Sequence, residues 1–201
     1  MWVTRKYEYV YQIKKVYCMI KIKTTNISGC LEIFPEIFND ERGFFIKTFH
    51  QDIFLQHGLN VHYPEEFYTV SYYGVLRGLH FQLPPFEHFK MVHCVLGEVL
   101  DVVVDIRIGS STYGQFQTFH LSAEKRNIIY IPPGLAHGFL VLSDYAILLY
   151  KISTMYSQQH DSGILWNSLD IPWGISNPII SKRDSQLLPF SQFISPFKFM
   201  E

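Results

Sequence analysis

Two stretches of the chain combine residue types and spacings that could move protons. One is Gly74-Val75-Leu76-Arg77-Gly78-Leu79-His80-Phe81-Gln82, followed by the stiff pair Pro84-Pro85. The other is Ile131-Pro132-Pro133-Gly134-Leu135-Ala136-His137-Gly138-Phe139. Histidine titrates near neutrality, so either imidazole could serve as a general base or acid. The chain has nine histidines, and a single one is more often a surface or satisfied core residue than a catalyst. Lys90 opens the run Lys90-Met91-Val92-His93-Cys94-Val95. On a sheet edge it would discourage aggregation; turned inward it would be a fixed cation able to stabilise an oxyanion. Tyr150, in Leu148-Leu149-Tyr150-Lys151, could be plain core or a phenol placed to give up a proton. Arg42 and Arg77 each precede a glycine. A planar guanidinium there suits a diphosphate, because its fork binds two oxygens at once, while the simpler reading is a surface salt bridge.

These side chains need a scaffold that converges them, and the patterning points to β-structure. From Val99 to Arg107, Val99, Asp101, Val103, Asp105 and Arg107 alternate with Leu100, Val102, Val104 and Ile106. Period-two alternation of this kind predicts a half-buried strand. Gly97-Glu98 separates it from the run before. Further strands are expected at Ile20–Lys23, Tyr68–Tyr72, Gln115–Leu121, Asn127–Ile131, Gly138–Leu142 and Ala146–Ile152. Helix is expected only at Gln51–His57 and in the tail after Ser181. Evenly spaced short strands imply a sandwich or barrel, and the mouth of a small barrel is the natural place for a site.

Composition narrows the classes. The 201 residues fit one domain, read as residues 19–201, with residues 1–18 an N-terminal extension, upstream of the natural start or an added edge strand. With 48% hydrophobic and 17% charged residues, intrinsic disorder is excluded. A formal net charge of -1 argues against a nucleic-acid-coating protein. No apolar run reaches the length of a membrane span, and residues 1–18 lack the apolar middle of a signal peptide. The three cysteines, Cys18, Cys30 and Cys94, have no paired spacing and read as buried thiols in a reducing cytoplasm. The 16% aromatic share favours strands and offers stacking surfaces.

The second histidine stretch contains P-x-G-x-x-H, the later half of a pattern found in cupin barrels. Metal-binding cupins add an H-x-H pair with a glutamate on an earlier strand to complete the ligand set. Here that strand offers His80, Lys90 and His93 without H-x-H, so no metal centre is expected. Several segments together resemble the dTDP-4-dehydrorhamnose 3,5-epimerase family: Phe38–Phe45, Gly74–Pro85, Lys90, Gly97-Glu98-Val99, Asp101–Arg107, Ile131–Phe139, Tyr150-Lys151, Ile164–Asn167 and Pro178–Asp184. They run in family order from about Ile20 to Leu188.

The resemblance implies a cupin-type antiparallel β-barrel, or jelly roll, with a few short helices. It implies a homodimer that epimerises a nucleotide-linked 4-keto-6-deoxyhexose without metal or other cofactor. By the same resemblance His80 is the base, Asp184 supports its imidazolium, Lys90 stabilises the enolate, and Tyr150 is the acid on the opposite face. Arg42 and Arg77 would meet the diphosphate, and Gln82, His137, Tyr156, Asp161, Trp166 and Arg183 would belong to the substrate pocket. The sequence departs from the family pattern at Lys47, where glutamate is usual, at Glu65-Glu66-Phe67 in place of Gln-Asp-Asn, and at His93 in place of arginine. Because Lys47, Glu65 and Phe67 fall on positions that hold the nucleotide and sugar, a monofunctional 5- or 3-epimerase on a CDP- or other NDP-linked 4-keto-deoxysugar stands beside the first reading. The rival from another class is a non-catalytic sugar-nucleotide-binding cupin, which loss of the base or acid would favour.

Overall fold

A computed structural model describes residues 20–200, and the expectations for residues 1–18 lie outside them. Thirteen strands account for most of the regular structure among the described residues: β1 (Ile20–Thr24), β2 (Leu31–Pro35), β3 (Ile37–Asp40), β4 (Gly43–Ile46), β5 (Glu65–Tyr72), β6 (Leu76–Gln82), β7 (Lys90–Leu96), β8 (Glu98–Asp105), β9 (Phe116–Ser122), β10 (Ile128–Ile131), β11 (Leu135–Val141), β12 (Tyr145–Ile152) and β13 (Asp161–Gly163). One sheet has the order β1-β2-β10-β7-β12-β5 and the other β13-β6-β11-β8-β9, while β3 and β4 pair as a separate hairpin. All of these ladders are antiparallel. Two separate hydrogen-bonded sheets packed face to face give the jelly-roll form of the expected barrel.

Apolar residues form three layers. Between the sheets, Val92, Cys94, Leu148 and Tyr150 of the larger sheet meet Val99, Val103, Leu135 and Phe139 of the smaller. The outer face of the smaller sheet, with Phe81, Val102, Val104 and Leu140, is covered by C-terminal segments through Ile164, Ile171, Trp173 and Phe197. The outer face of the larger sheet is covered in part by helix α1 (Gln51–Gln56), whose buried Phe54 packs with Ile33, Met91 and Ile128.

The strand expectations agree with β1, β5, β7, β8, β9, β10, β11 and β12. One detail differs. Strand β8 is buried on both faces, and its polar members Asp101 and Asp105 point into the space between the sheets, each with no exposed surface. The alternation therefore marks a polar interior, not a solvated face. The tail after Ser181 is also not an α-helix: it makes only 3-10 turns at Asp184–Gln186 and Phe190–Gln192. Proline recurs there (Pro189, Pro196), and the chain is held instead by bonds to the smaller sheet's surroundings, such as Leu165 N–H to the Leu188 carbonyl at 2.8 Å.

Candidate active site

Pleating turns alternate residues of each strand inward. At one end of the interior that inward stripe changes from apolar to polar. Strand β6 contributes His80 and Gln82, β7 Lys90, β8 Asp101, β11 His137, β12 Tyr150 and β5 Phe67. His80 and His137 are directly paired across β6 and β11, and Tyr150 is paired with Phe67 across β12 and β5. The crossing of β6 and β11 is unusually close. A Cβ on Gly78 would lie 2.5 Å from the Gly138 Cα, and Gly78 has φ +130°. Glycine is thus required in Arg-Gly-Leu-His by close backbone approach.

A cavity of about 180 Å³ opens here, lined by Phe67, His80, Gln82, Lys90, Tyr156, Asp161 and Arg183 together with Phe81, His88 and Ile152. His80 Nε2 lies 2.8 Å from Asp184 Oδ1, while Asp184 Oδ2 accepts the Gly78 N–H at 3.3 Å. Burial would raise the Asp184 pKa, but the His80 and Gly78 bonds outweigh it and hold the carboxyl below the usual carboxylate range. His80 keeps 26% of its side chain exposed while Asp184 is 4% exposed. A buried carboxylate therefore backs an accessible imidazole, an arrangement that steadies imidazolium as it forms.

Tyr150 stands on the opposite sheet, stacked on Phe67 with ring centroids 4.8 Å apart. Burial pushes its phenol pKa up, so it stays protonated. Its ring centroid is 6.4 Å from that of His137. Burial lowers the Lys90 pKa to about 8, with Asp101 and Asp161 pulling it back up. His137 sits behind the cavity with Nε2 2.7 Å from Asp101 Oδ2. Burial also lowers its pKa, and Asp101 opposes this. At the mouth Asp161 joins two neighbours, accepting from Tyr156 Oη at 3.2 Å and pairing with Arg183 at 2.8 Å.

Several expected pocket residues lie elsewhere or have other tasks. Trp166 packs on the outer face of the smaller sheet, where its carbonyl accepts the Trp173 indole N–H at 3.0 Å; that apolar layer, not the cavity, takes its ring. Arg42 is on the β3–β4 hairpin, 85% exposed and paired with Asp40, and Lys47 follows that hairpin without lining the cavity. Gln82 does line it, yet both ends of its amide are taken by the chain. Oε1 accepts Ser157 N–H at 2.6 Å and Nε2 donates to the Phe86 carbonyl at 2.9 Å, so Gln82 fastens the wall. Glu65 accepts Tyr156 N–H at 2.7 Å, and Glu66 forms an ion pair with Lys151. Arg77 donates to Ser71 Oγ at 2.9 Å, its charge acting on Tyr150. His93 is buried in the larger sheet, away from the cavity lining, its pKa lowered to about 4 by burial.

Sequence reasoning missed Asp101 and His88. Asp101 was hidden by the assumption that polar members of an alternating strand face water. His88 carried no motif.

A family model for dTDP-4-dehydrorhamnose 3,5-epimerase matches residues 24–192. The chain is 45% identical over 163 residues to the dTDP-4-dehydrorhamnose 3,5-epimerase of Shigella flexneri, covering 80% of this chain and 90% of that one. It superposes on the dTDP-6-deoxy-D-glucose-3,5-epimerase of Legionella pneumophila in complex with dTDP-4-keto-L-rhamnose, with a TM-score of 0.86 and 33% identity over 91% of this chain and all of that one. The dTDP-4-dehydrorhamnose 3,5-epimerase of Bacillus anthracis with TDP and pyrophosphate bound gives 0.82 and 35%, covering 84% and 98%. With the dyad, the facing tyrosine and the buried lysine in place, the chain belongs to the dTDP-4-dehydrorhamnose 3,5-epimerase family and is an isomerase acting on a nucleotide-linked 4-keto-6-deoxy sugar.

Proposed function

We propose that the chain inverts both C3 and C5 of a dTDP-linked 4-keto-6-deoxyhexose, with His80 as base and Tyr150 as acid. The observation that carries this is their position on opposite sheets: His80 on β6 lines the cavity with Lys90, and Tyr150 on β12 lies buried against Phe67 of the same cavity wall. The ketone at C4 acidifies the hydrogens on C3 and C5. With Nε2 donating to Asp184, His80 has Nδ1 available to take one of them. The electron pair moves into the C3–C4 or C4–C5 bond and onto the C4 oxygen, giving an enolate that the Lys90 ammonium stabilises. Tyr150 then returns a proton to the same carbon from the other face, and both side chains re-equilibrate with water. Bonds and charge balance, and nothing is oxidised or reduced. Each positioned acid or base contributes about 10²–10⁴ in rate.

The Tyr156–Asp161–Arg183 cluster and Arg77 are the groups offered to the sugar nucleotide. Of the changes that motivate a CDP-linked substrate, Lys47 does not line the cavity and Glu65 and Glu66 have partners within this chain, and the dTDP ligand of the Legionella relative supports the thymidine nucleotide. A homodimer is part of the proposal, supported by the exposed apolar side chains Tyr68, Val70 and Tyr72 along the edge strand β5. Among the described residues no helix is long and apolar enough to cross a membrane. Incubation with dTDP- and CDP-linked 4-keto sugars in D₂O tests the reading. Deuterium at both C3 and C5 of the dTDP sugar is expected. Exchange at one carbon only, or solely with CDP, corrects the substrate assignment, and exchange with neither sugar refutes the epimerase reading.

A further inference from the structure

Tyr150 must pass from phenol to phenolate and back in every turnover, yet it is 5% exposed and burial opposes the charged form. Groups behind the cavity wall therefore decide how easily it gives up its proton. Asp101 and Cys94 oppose the phenolate, and the charge of Arg77 favours it. The side chain that favours it most is Thr69 of β5, through its hydroxyl. The ladder puts Thr69 within reach. Tyr150 pairs with Phe67 and Leu148 with Thr69, so Thr69 is the diagonal neighbour of Tyr150 on the same face of the sheet, a separation that an aromatic side chain spans. The stack on Phe67, with 13° between the ring planes, holds the phenol in place. Thr69 Oγ1 is itself buried, and no group among the described residues closes a hydrogen bond of good geometry with it. A hydroxyl left in that state is unfavourable at rest and gains most from a negative oxygen forming beside it.

We propose that Thr69 is a positioning residue for the acid step: its hydroxyl turns to the Tyr150 oxygen as that oxygen becomes phenolate, and so sets how readily the proton is delivered. This rests on the epimerase reading above. In the step the Tyr150 O–H bond breaks as the new C–H bond forms, and the charge of the enolate passes to the phenolate oxygen. Thr69 keeps its own proton and directs it at that charge, making the stronger kind of hydrogen bond that an ionised acceptor forms. Water then reprotonates the phenolate and the threonine hydroxyl is released. Thr69 is absent from the cavity lining, so it acts through Tyr150 and not on the sugar.

The test compares wild type with Thr69→Val, which is nearly isosteric, suits a strand and removes only the hydroxyl, and with Thr69→Ser, which restores it. Thr69→Ala carries the same deletion should valine not be accommodated. A dTDP-4-keto sugar in D₂O is followed for two products, inverted sugar and sugar of unchanged configuration that has gained deuterium. The second arises when His80 forms the enolate and returns a deuteron to its own face, so it does not need Tyr150. KM, dTDP affinity and Tm are measured alongside. In the valine or alanine variant the ratio of inverted to uninverted, deuterated sugar is expected to fall about 10–100-fold, the size of one hydrogen bond to a charged oxygen. KM and dTDP affinity should stay within about threefold, and serine should bring the ratio back to within about threefold of wild type. A ratio within about threefold of wild type in the donor-less variant overturns the proposal. So does an equal loss of both products, a loss confined to KM or dTDP affinity, or a serine variant no better than valine. Wild-type enzyme that forms neither product overturns the epimerase reading itself, and that outcome is distinguishable because it involves no change at Thr69.

Discussion

Replacing Asp184 by asparagine is a nearly isosteric change whose effect follows from two hydrogen bonds. The Gly78 N–H points at Asp184 Oδ2 from 3.3 Å and can only donate. In the variant the amide oxygen must face Gly78, which turns the NH₂ toward His80 Nε2, now 2.8 Å from the carboxylate. Nε2 is then forced to accept, and the ring proton moves to Nδ1, the nitrogen that must be free to take the substrate proton. The wrong tautomer and the lost negative charge together should lower exchange at C3 and C5 by about 10³–10⁴, the scale seen when another catalytic histidine is held in the wrong tautomer. Asp184→Ala imposes no tautomer and removes only the charge and the Gly78 contact, so its loss should be nearer 10². Alanine would thus outperform the more conservative asparagine. The assay is deuterium incorporation in D₂O under saturating sugar nucleotide, with circular dichroism to check folding. Asparagine retaining a tenth or more of wild-type exchange, or failing to fall at least about twofold below alanine, would refute the tautomer argument.

Tyr150→Phe should slow epimerisation by about 10²–10³ while KM moves little, because the stack on Phe67 survives loss of the hydroxyl; steady-state kinetics check this, and unchanged turnover removes the acid role. With its pKa lowered to about 8, Lys90 is charged below that pH and neutral above it, so kcat should fall as pH rises through about 8. Tyr150, pushed upward by burial, does not titrate in that window, and a pH–rate profile of Lys90→Gln should lack this alkaline limb on a much lower plateau. Gly78→Ala should destabilise by about 2–5 kcal/mol in denaturant unfolding, combining a positive-φ penalty with overpacking against Gly138. A loss below about 1 kcal/mol would show that the β6–β11 contact yields easily.

Much of the fold is legible in the sequence. Alternation located β8, a short apolar run marked β12, and turn residues separated β7 from β8 at Gly97. What escaped was anything decided by which face of a strand is wet. Asp101 and Asp105 alternate with valines as surface residues do, yet each is fully buried, because a second sheet covers that face; Arg107 pairs with Asp105 and His137 takes one oxygen of Asp101. Trp166 escaped for another reason. Its place in the pocket came from the family resemblance alone, and the packing of the tail on the smaller sheet takes its ring instead. Gln82 lies in the right place but is spent on the 153–157 segment, a long-range partner no local pattern reveals.

The fold explains why epimerisation suits this architecture. Inversion needs an acid and a base on opposite faces of one carbon, separated by the thickness of a sugar ring, with water kept from the enolate between them. Two sheets packed about 10 Å apart supply that separation without further machinery. The interior stays apolar for most of its length through residues such as Val99, Val103 and Leu148. At one end, single substitutions in the inward stripes turn the same lattice into His80, Lys90, His137 and Tyr150. Because each polar residue stands on a different strand and is fixed by ladder hydrogen bonds, their spacing is set by the sheets, not by loop conformation. The loops are left to the mouth, where Tyr156, Asp161 and Arg183 can vary with the substrate while the chemistry beneath them stays in register.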